Sequence, residues 1–205
     1  MANTLAPFGF AAWGTNSGPP NFAENHNPPY RIAAAYGTQI FFGDAVRMNV
    51  SGPTGYIEQW ANGDGSTATQ ILVGIFVGCS YYSASYGGTV FKRYFPAGSD
   101  AIGDVNAYVI DDPNQQFKVQ AGIGSAITQT SIGRTADIVA APTGNTSTGI
   151  SGMSLSTPTT TNTLPFKVVN VINTPPGANG TDLTTPYNYV VVSMNNQQYK
   201  SLLGV

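Results

Sequence analysis

The stretch that decides the fold is Ile71–Tyr82, which reads ILVGIFVGCSYY. Its first seven residues are apolar or glycine, so neither face of a strand formed there would meet water. β-Branched and aromatic side chains, which favour extended backbone, fill much of the run. We therefore predict a central strand that is buried on both faces. The run of about twelve residues is too short to span a bilayer, which needs about twenty in a helix.

Shorter runs of the same kind lie on both sides of this strand. Phe117–Ala121 alternates strictly between apolar and polar residues, so one face is expected to be buried and the other wet. Glycine, proline, asparagine and aspartate separate the runs, which predicts an all-β fold, a single barrel or sandwich of many short strands with long polar loops. The other predicted strands are Arg31–Tyr36, Gln39–Phe42, Ala45–Val50, Tyr56–Trp60, Val90–Phe95, Val105–Ile110, Ala136–Ala140, Ile150–Leu155, Phe166–Ile172 and Tyr187–Met194.

The beginning of the chain differs from the rest. It is rich in proline and glycine and fits neither a helical nor a strand period, so we predict an extended N-terminal arm over residues 1–29 and a β domain over residues 30–205. Aromatic rings in such an arm need an apolar partner. We expect the arm to dock on a neighbouring subunit, the alternative being that it lies over its own domain. The expected anchors are Phe8, Phe10, Trp13, Phe22 and Tyr30.

The composition excludes several classes of protein. Of 205 residues, 41% are hydrophobic and only 9% are charged, which excludes disorder driven by charge. Eight basic and ten acidic residues leave a net charge of −2, so the basic excess of a nucleic-acid-binding protein is missing. The single cysteine, Cys79, rules out an intrachain disulfide scaffold. The first residues lack the charged and apolar regions of a signal peptide, so we expect synthesis in a cytoplasm and no membrane partner.

The sequence offers no catalytic set. Its one histidine, His26, lies in the proline-rich arm, which is a poor place to hold a general base. Cys79 lies in the predicted central strand and is expected to be a buried, reduced thiol. We therefore expect neither an enzyme nor a bound cofactor.

Four carboxylates fall close together along the chain: Asp100, Asp104, Asp111 and Asp112. Such a cluster could hold calcium or act in glycoside hydrolysis. Aspartate, proline and asparagine at 111–114 also suit a tight turn. We favour the turn and expect no metal site.

Basic and aromatic residues interleave at Phe91–Phe95, which reads FKRYF. This pattern could stack the bases of a single strand of nucleic acid. A strand that contacts protein would have the same pattern, and we favour this second interpretation, with Lys92 and Arg93 as contact residues. The uncharged Thr, Ser and Asn loops also suit permanent protein contacts, because burying them needs hydrogen bonds but no desolvation of ions.

The chain resembles a family of structural proteins of tailed bacteriophages, the head decoration or cement proteins. The resemblance is collinear, covers nearly the whole chain and rests on no single diagnostic motif. It is carried by ANTLAPFGF at 2–10, PPYRIA at 28–33, IFFGDAV at 40–46, GIFVGCSY at 74–81, AYVIDDPNQQFKVQA at 107–121, TGISGMSL at 148–155, LPFKVV at 164–169 and NNQQYKS at 195–201.

The resemblance implies a virion protein that binds the outside of the capsid and clamps neighbouring major capsid protein subunits. It implies no enzymatic activity and suggests a homo-oligomer, often a trimer, made in the bacterial host cytoplasm. Two alternatives stay open: another virion component, such as a tail or head-fibre base protein, and a carbohydrate-binding β-sandwich. The second is suggested by Trp60, Tyr81, Tyr82 and Tyr86 as exposed aromatic residues.

Overall fold

The structure is a computed structural model that describes residues 2–15, 30–34, 36–50, 52, 54–66, 70–98, 100–140 and 143–200. Over these residues the protein is almost entirely β-structure, as the sequence predicts. Short 3₁₀ turns at Asp64–Ser66 and Gln129–Ser131 are the helical elements of this part of the chain. The strands are β1 Ala11–Thr15, β2 Tyr30–Ile32, β3 Ala45–Met48, β4 Ile57–Gln59, β5 Leu72–Ser83, β6 Gly88–Lys92, β7 Ala101–Ile110, β8 Gln115–Gln120, β9 Thr135–Ala136, β10 Ile138–Val139, β11 Ser154–Leu155, β12 Phe166–Val171 and β13 Tyr189–Met194.

The strands form two large antiparallel sheets and one small ladder. The first sheet has five strands in the order β1-β8-β13-β12-β9. The second has six strands, in the order β2-β7-β5-β3-β4, with β6 also paired to β5. Strands β10 and β11 form the separate two-stranded ladder. In the described residues, no helix has the length and apolar character needed to cross a bilayer.

Two hydrophobic clusters fill the interior. The larger one joins the inner face of the five-stranded sheet, including Phe117 and Phe166, to side chains of the six-stranded sheet such as Leu72 and Ile75. The smaller cluster lies on the other side of β5, where Phe76 and Phe95 are among its members. The six-stranded sheet therefore has apolar packing on both faces, which explains why its central strand lacks polar alternation.

Strand β5 has the two-sided burial predicted from Ile71–Tyr82. Ten of its twelve residues are buried, the exceptions being Val77 and Tyr82. Cys79 is one of the buried residues, and burial raises the pKa of its thiol to about 12. The alternation predicted for Phe117–Ala121 holds only in part: Phe117 and Val119 lie in the core and Lys118 is half-buried, but Gln120, expected on the wet face, is fully buried.

The predicted division at residue 30 does not hold for the start of the chain. Strand β1 pairs with β8 of the same chain, from Ala11 opposite Lys118 to Thr15 opposite Gln115. Residues 2–15 therefore belong to the β domain and not to a separate arm. Residues 16–29, with Phe22 and His26, lie outside the described residues.

Two further sequence predictions were wrong in detail. Gln39–Phe42 forms only isolated bridges, Ile40 with Phe95 and Phe42 with Ile150, in place of a continuous strand. Within Ile150–Leu155, only Ser154–Leu155 pairs as a strand. Both segments bridge to other loops through single residues, and apolar content alone does not distinguish such bridges from a ladder.

Candidate functional site

Asn3 fixes the beginning of the chain to the loop that precedes β13. Its side-chain amide donates to the carbonyls of Asp182 at 2.8 Å and Pro186 at 2.9 Å, and its oxygen accepts from the N–H of Gly180 at 2.7 Å. Gln120 on β8 continues this attachment by donating to the carbonyl of Thr4 at 2.8 Å. Residues 3 and 4 are therefore held by specific polar contacts, which an unattached arm would lack.

Gly9 and Phe10 carry the chain from this loop into the core. The N–H of Phe10 donates to the carbonyl of Gly43 at 2.9 Å, and Gly9 has a φ of +72°, which favours glycine. A Cβ on Gly9 would lie 2.5 Å from the Cβ of Ser151, so only glycine fits there without a shift. Phe10 is 2% exposed, and its ring stacks on Phe166 with 4.3 Å between centroids. Phe10 is thus a core residue of its own chain and not an anchor for a neighbour.

Asp44 holds the loop on which Phe10 docks. Its carboxylate accepts hydrogen bonds from the Phe41 N–H at 2.8 Å, from Gln59 Nε2 at 2.6 Å and from the Ser151 hydroxyl at 2.5 Å. Burial raises the pKa of Asp44 to about 6, although these three donors favour the charged form. Desolvation outweighs the hydrogen bonds at this site.

Strand alternation separates Trp13 from Phe10. Ala12 pairs with Phe117 and faces the core, whereas Ala11 pairs with Lys118, whose side chain lies on the outer face. Trp13 also points outward and is 52% exposed. The same short segment therefore fills the core with one aromatic ring and presents another to solvent.

Four side chains form what we call the lysine–aromatic patch: Phe8, Trp13, Lys118 and Tyr189. Lys118 Nζ lies 4.3 Å from the ring centroid of Tyr189, 5.7 Å from that of Phe8 and 5.8 Å from that of Trp13. Phe8 and Tyr189 also meet edge to face at 5.6 Å. These distances are in the range of cation–π attraction, which favours this arrangement of the lysine and the rings.

The strands of the sheet that carries the patch contain basic residues but no acidic ones. Lys118 and Lys167 are their charged residues. Lys118 pairs with Val191 of β13, and Lys167 pairs with Ser193, two residues further along the same strand. Residues two apart on a strand share a face, so both lysines project from the outer side of the sheet.

Tyr30, the remaining described anchor candidate, lies on the other sheet. It is half-buried, packs against the smaller cluster and donates its hydroxyl to Asp111 Oδ2 at 2.8 Å. Burial raises the pKa of this hydroxyl, with hydrogen bonds to Tyr199 and Asp111 adding to the shift. Tyr30 therefore does not join the lysine–aromatic patch.

Lys92 and Arg93 lie beside a surface cleft of about 480 Å³ whose lining includes Phe42 and Phe91. Lys92 Nζ is 5.5 Å from the ring centroid of Tyr81, and the Arg93 guanidinium is 4.3 Å from that of Phe42. The two cations are stacked on rings of their own chain. The structure does not bring them together with Phe8, Trp13 or Tyr30.

A second group of exposed side chains, which we call the hairpin tip, consists of Tyr82, Phe91 and Ile102. Tyr82 of β5 pairs with Ile102 of β7, and Phe91 of β6 pairs with Ser80, so all three project from the same face. Phe91 is 75% exposed. Sequence reasoning attributed Phe91 only to a strand pattern, and alternation could not have identified its outward direction, because it places Phe91 on the same face as Phe95, which is buried.

The four carboxylates that fall close together along the chain make separate hydrogen bonds. Asp100 accepts from Ser83 and Ser85, and bonds to Ser85 lower its pKa to about 2. Asp104 accepts from the Tyr56 hydroxyl, while Asp112 accepts from the Asn114 N–H in the predicted turn. Among the residues that the structure describes, no group of three or more His, Cys, Asp or Glu side chains is placed to hold a metal ion.

The four aromatic residues considered for carbohydrate binding differ in their exposure to solvent. Trp60 and Tyr81 are buried, which corrects the expectation that they are exposed, whereas Tyr82 and Tyr86 face solvent. Trp60 donates its indole N–H to Asp137 at 3.2 Å. Only two of the four rings could meet a sugar.

Comparison with known proteins gives no relative for this chain: no protein family, no curated protein and no solved structure matches it.

Proposed function

We propose that this protein is a structural component of a tailed-phage virion that binds the outside of the capsid and clamps neighbouring major capsid protein subunits. The single observation that best supports this role is the lysine–aromatic patch, in which Trp13 is half exposed beside Phe8 and Tyr189. The collinear resemblance to decoration proteins directs the proposal to a capsid.

The patch has the chemistry of a protein-contact anchor. Tryptophan and tyrosine are enriched among the residues that dominate binding energy in protein interfaces. Lys118 contacts the ring of Tyr189, and the segment that bears Trp13 is part of a sheet. Little conformational entropy then remains to be lost on docking, which favours a long-lived contact.

A clamp needs a second contact surface, and the hairpin tip supplies a candidate. It lies on the six-stranded sheet, whereas the patch lies on the five-stranded sheet. When one contact on linked subunits has formed, it raises the effective concentration for the other. A bridging protein therefore binds with a higher overall affinity than either contact would give alone. The tip could engage a second capsid subunit or another copy of this chain in a homo-oligomer.

Localisation on the particle tests the proposal. Particles of the phage that encodes this chain are purified, and antibodies raised against the protein are detected by immunogold electron microscopy. We expect label distributed over the head. Label confined to the tail or to a head vertex would replace the proposal with the tail or fibre-base alternative, and protein absent from purified particles would refute a structural role in the virion.

A further inference from the structure

A surface cleft with two cationic side chains in its lining lies where β9 pairs with β12. It has a volume of about 310 Å³, and Arg134 and Lys167 are the charged residues in its lining. Thr159, Thr160 and Asn162 line it as well. We infer that this cleft binds an oxyanion, meaning a phosphate or carboxylate group.

Backbone hydrogen bonds hold the walls of the cleft in place. Lys167 pairs with Thr135 in the β9–β12 ladder, and the carbonyl of Arg134 accepts from the Val168 N–H at 2.9 Å. On the other wall, Thr135 and Thr159 exchange backbone hydrogen bonds at 3.0 and 2.7 Å. The backbone that carries both cations is therefore fixed before any ligand arrives, which reduces the entropy lost on binding.

The two cations of the cleft have no carboxylate partner among the described residues. Both described ion pairs belong to Arg47, which contacts Glu58 and Asp64. The nearest acid along the chain from Arg134 is Asp137, whose carboxylate accepts from the Trp60 indole at 3.2 Å and from the Ile138 N–H at 2.8 Å. Arg134 and Lys167 are both exposed, so their charges remain available to an outside anion.

The residue types select an oxyanion over other ligands. A guanidinium offers a planar fork of donors that matches two oxygens of a phosphate or carboxylate, and an ammonium adds a third charged donor. Hydroxyl groups can complete the shell. A metal cation would be repelled by Arg134 and Lys167 and would find no carboxylate in the lining.

Titration of the full chain by ¹H–¹⁵N NMR tests the inference. Sodium phosphate is one probe, an acetylated and amidated tri-glutamate peptide is a second, and sodium chloride at equal ionic strength is the control. We expect saturable shifts at residues 133–135 and 159–167 with at least one of the first two probes and not with chloride. Saturation by phosphate alone would identify a free oxyanion, and saturation by the peptide alone would identify carboxylates of a polypeptide.

Charge-removing variants make the test specific. Arg134→Gln and Lys167→Gln should each weaken binding about tenfold, because each removes a charge-assisted hydrogen bond. Arg31→Gln removes an equal charge from an exposed position on the other sheet and should leave binding unchanged. An unaltered spectrum away from the cleft shows that each variant is folded. The inference would be overturned if phosphate and the peptide gave the same shifts as chloride, or if Arg31→Gln weakened binding as much as the cleft variants. Neither outcome depends on where the protein lies on the virion.

Discussion

The lysine–aromatic patch and the hairpin tip both expose large apolar side chains, but they are built differently. In the patch, Lys118 lies within 6 Å of three ring centroids, and the segment carrying Trp13 is tied to the core by Phe10. In the tip, Phe91 extends from strand β6, whose described strand partner is β5 alone. Exposure by itself therefore does not distinguish a surface whose rings contact one another and a cation from one whose ring extends from an edge strand.

The N-terminal segment of the patch has two roles, one in the core and one at the surface. Phe10 and Trp13 are three residues apart, yet the first is buried and the second half exposed. Burial of Phe10 supplies the stability that allows Trp13 to be presented in a fixed position. Deleting residues 1–29 would accordingly remove a strand and a core ring together, so single substitutions are the better way to separate the two roles.

The largest expected effect is on stability, from Phe10→Ala. Truncating a fully buried phenylalanine should lower the free energy of unfolding by about 3–5 kcal/mol. Trp13→Ala should lower it by less than about 1 kcal/mol, because the ring is largely outside the core. Urea denaturation of the two variants and the wild type measures both values. Equal losses would mean that the two rings do not have the separate roles described.

Asp44 should make the anchorage of the N-terminal segment depend on pH. Its pKa is about 6 in the folded protein against 3.8 for a free group, so the folded state binds the proton more tightly. Its contribution to stability is therefore full below about pH 4 and falls as the pH rises to about 6, by roughly 2–3 kcal/mol.

Asp44→Asn tests this dependence, because an asparagine can keep one acceptor for Phe41 and Gln59 while donating to Ser151. The free energy of unfolding, measured by denaturant titration at pH 4 and pH 7, should fall less between the two pH values in the variant than in the wild type. An identical fall in both proteins would exclude Asp44 as the cause of the pH dependence of stability.

Gly9→Ala should weaken the docking of the segment by a smaller amount. A side chain at this positive φ, with Gly43 O only 2.6 Å from the new Cβ, should cost about 1–3 kcal/mol. Gly14→Ala is the matched control, since a Cβ there meets nothing within 4 Å. Thermal unfolding compares the pair, and a loss in Gly14→Ala as large as in Gly9→Ala would argue against specific docking at Gly9.

The smallest effect on stability is expected at the hairpin tip. Phe91→Ser should change the free energy of unfolding by less than about 0.5 kcal/mol, because the ring is 75% exposed. Chemical denaturation provides the value. A loss near that of Phe10→Ala would show that the tip is part of a packed core and would remove its contrast with the patch.

Much of the fold could be predicted from the sequence, because hydrophobic periodicity reports burial directly. The unbroken apolar run in β5 predicted its burial on both faces, and alternation in β8 predicted the burial of Phe117 and Val119 but not that of Gln120. Strand β1 was missed, because AAWGT has no alternation that stands out from the glycine and proline around it. Its strand character depends on pairing with β8, whose paired residues are 100 or more positions away.

The candidate site was only partly predictable. The aromatic content of the N-terminal segment predicted Phe8, Trp13 and also Phe10 as contact residues. It could not show that the fold buries Phe10 in the core. Lys118 and Tyr189 were not identified, because their proximity to the N-terminal segment depends on sheet order. Arg134 and Lys167 are far apart in sequence and line one cleft only because β9 pairs with β12.

Binding to capsids tests the central claim most directly: the N-terminal segment is anchored in its own domain so that Trp13 can contact a partner. Heads from a phage lacking the gene are mixed with purified wild-type protein or with Trp13→Ala, and bound protein is measured after sedimentation. We predict that Trp13→Ala remains folded and binds at least about tenfold more weakly, as for an interface anchor. Binding of Trp13→Ala with wild-type affinity would contradict the account.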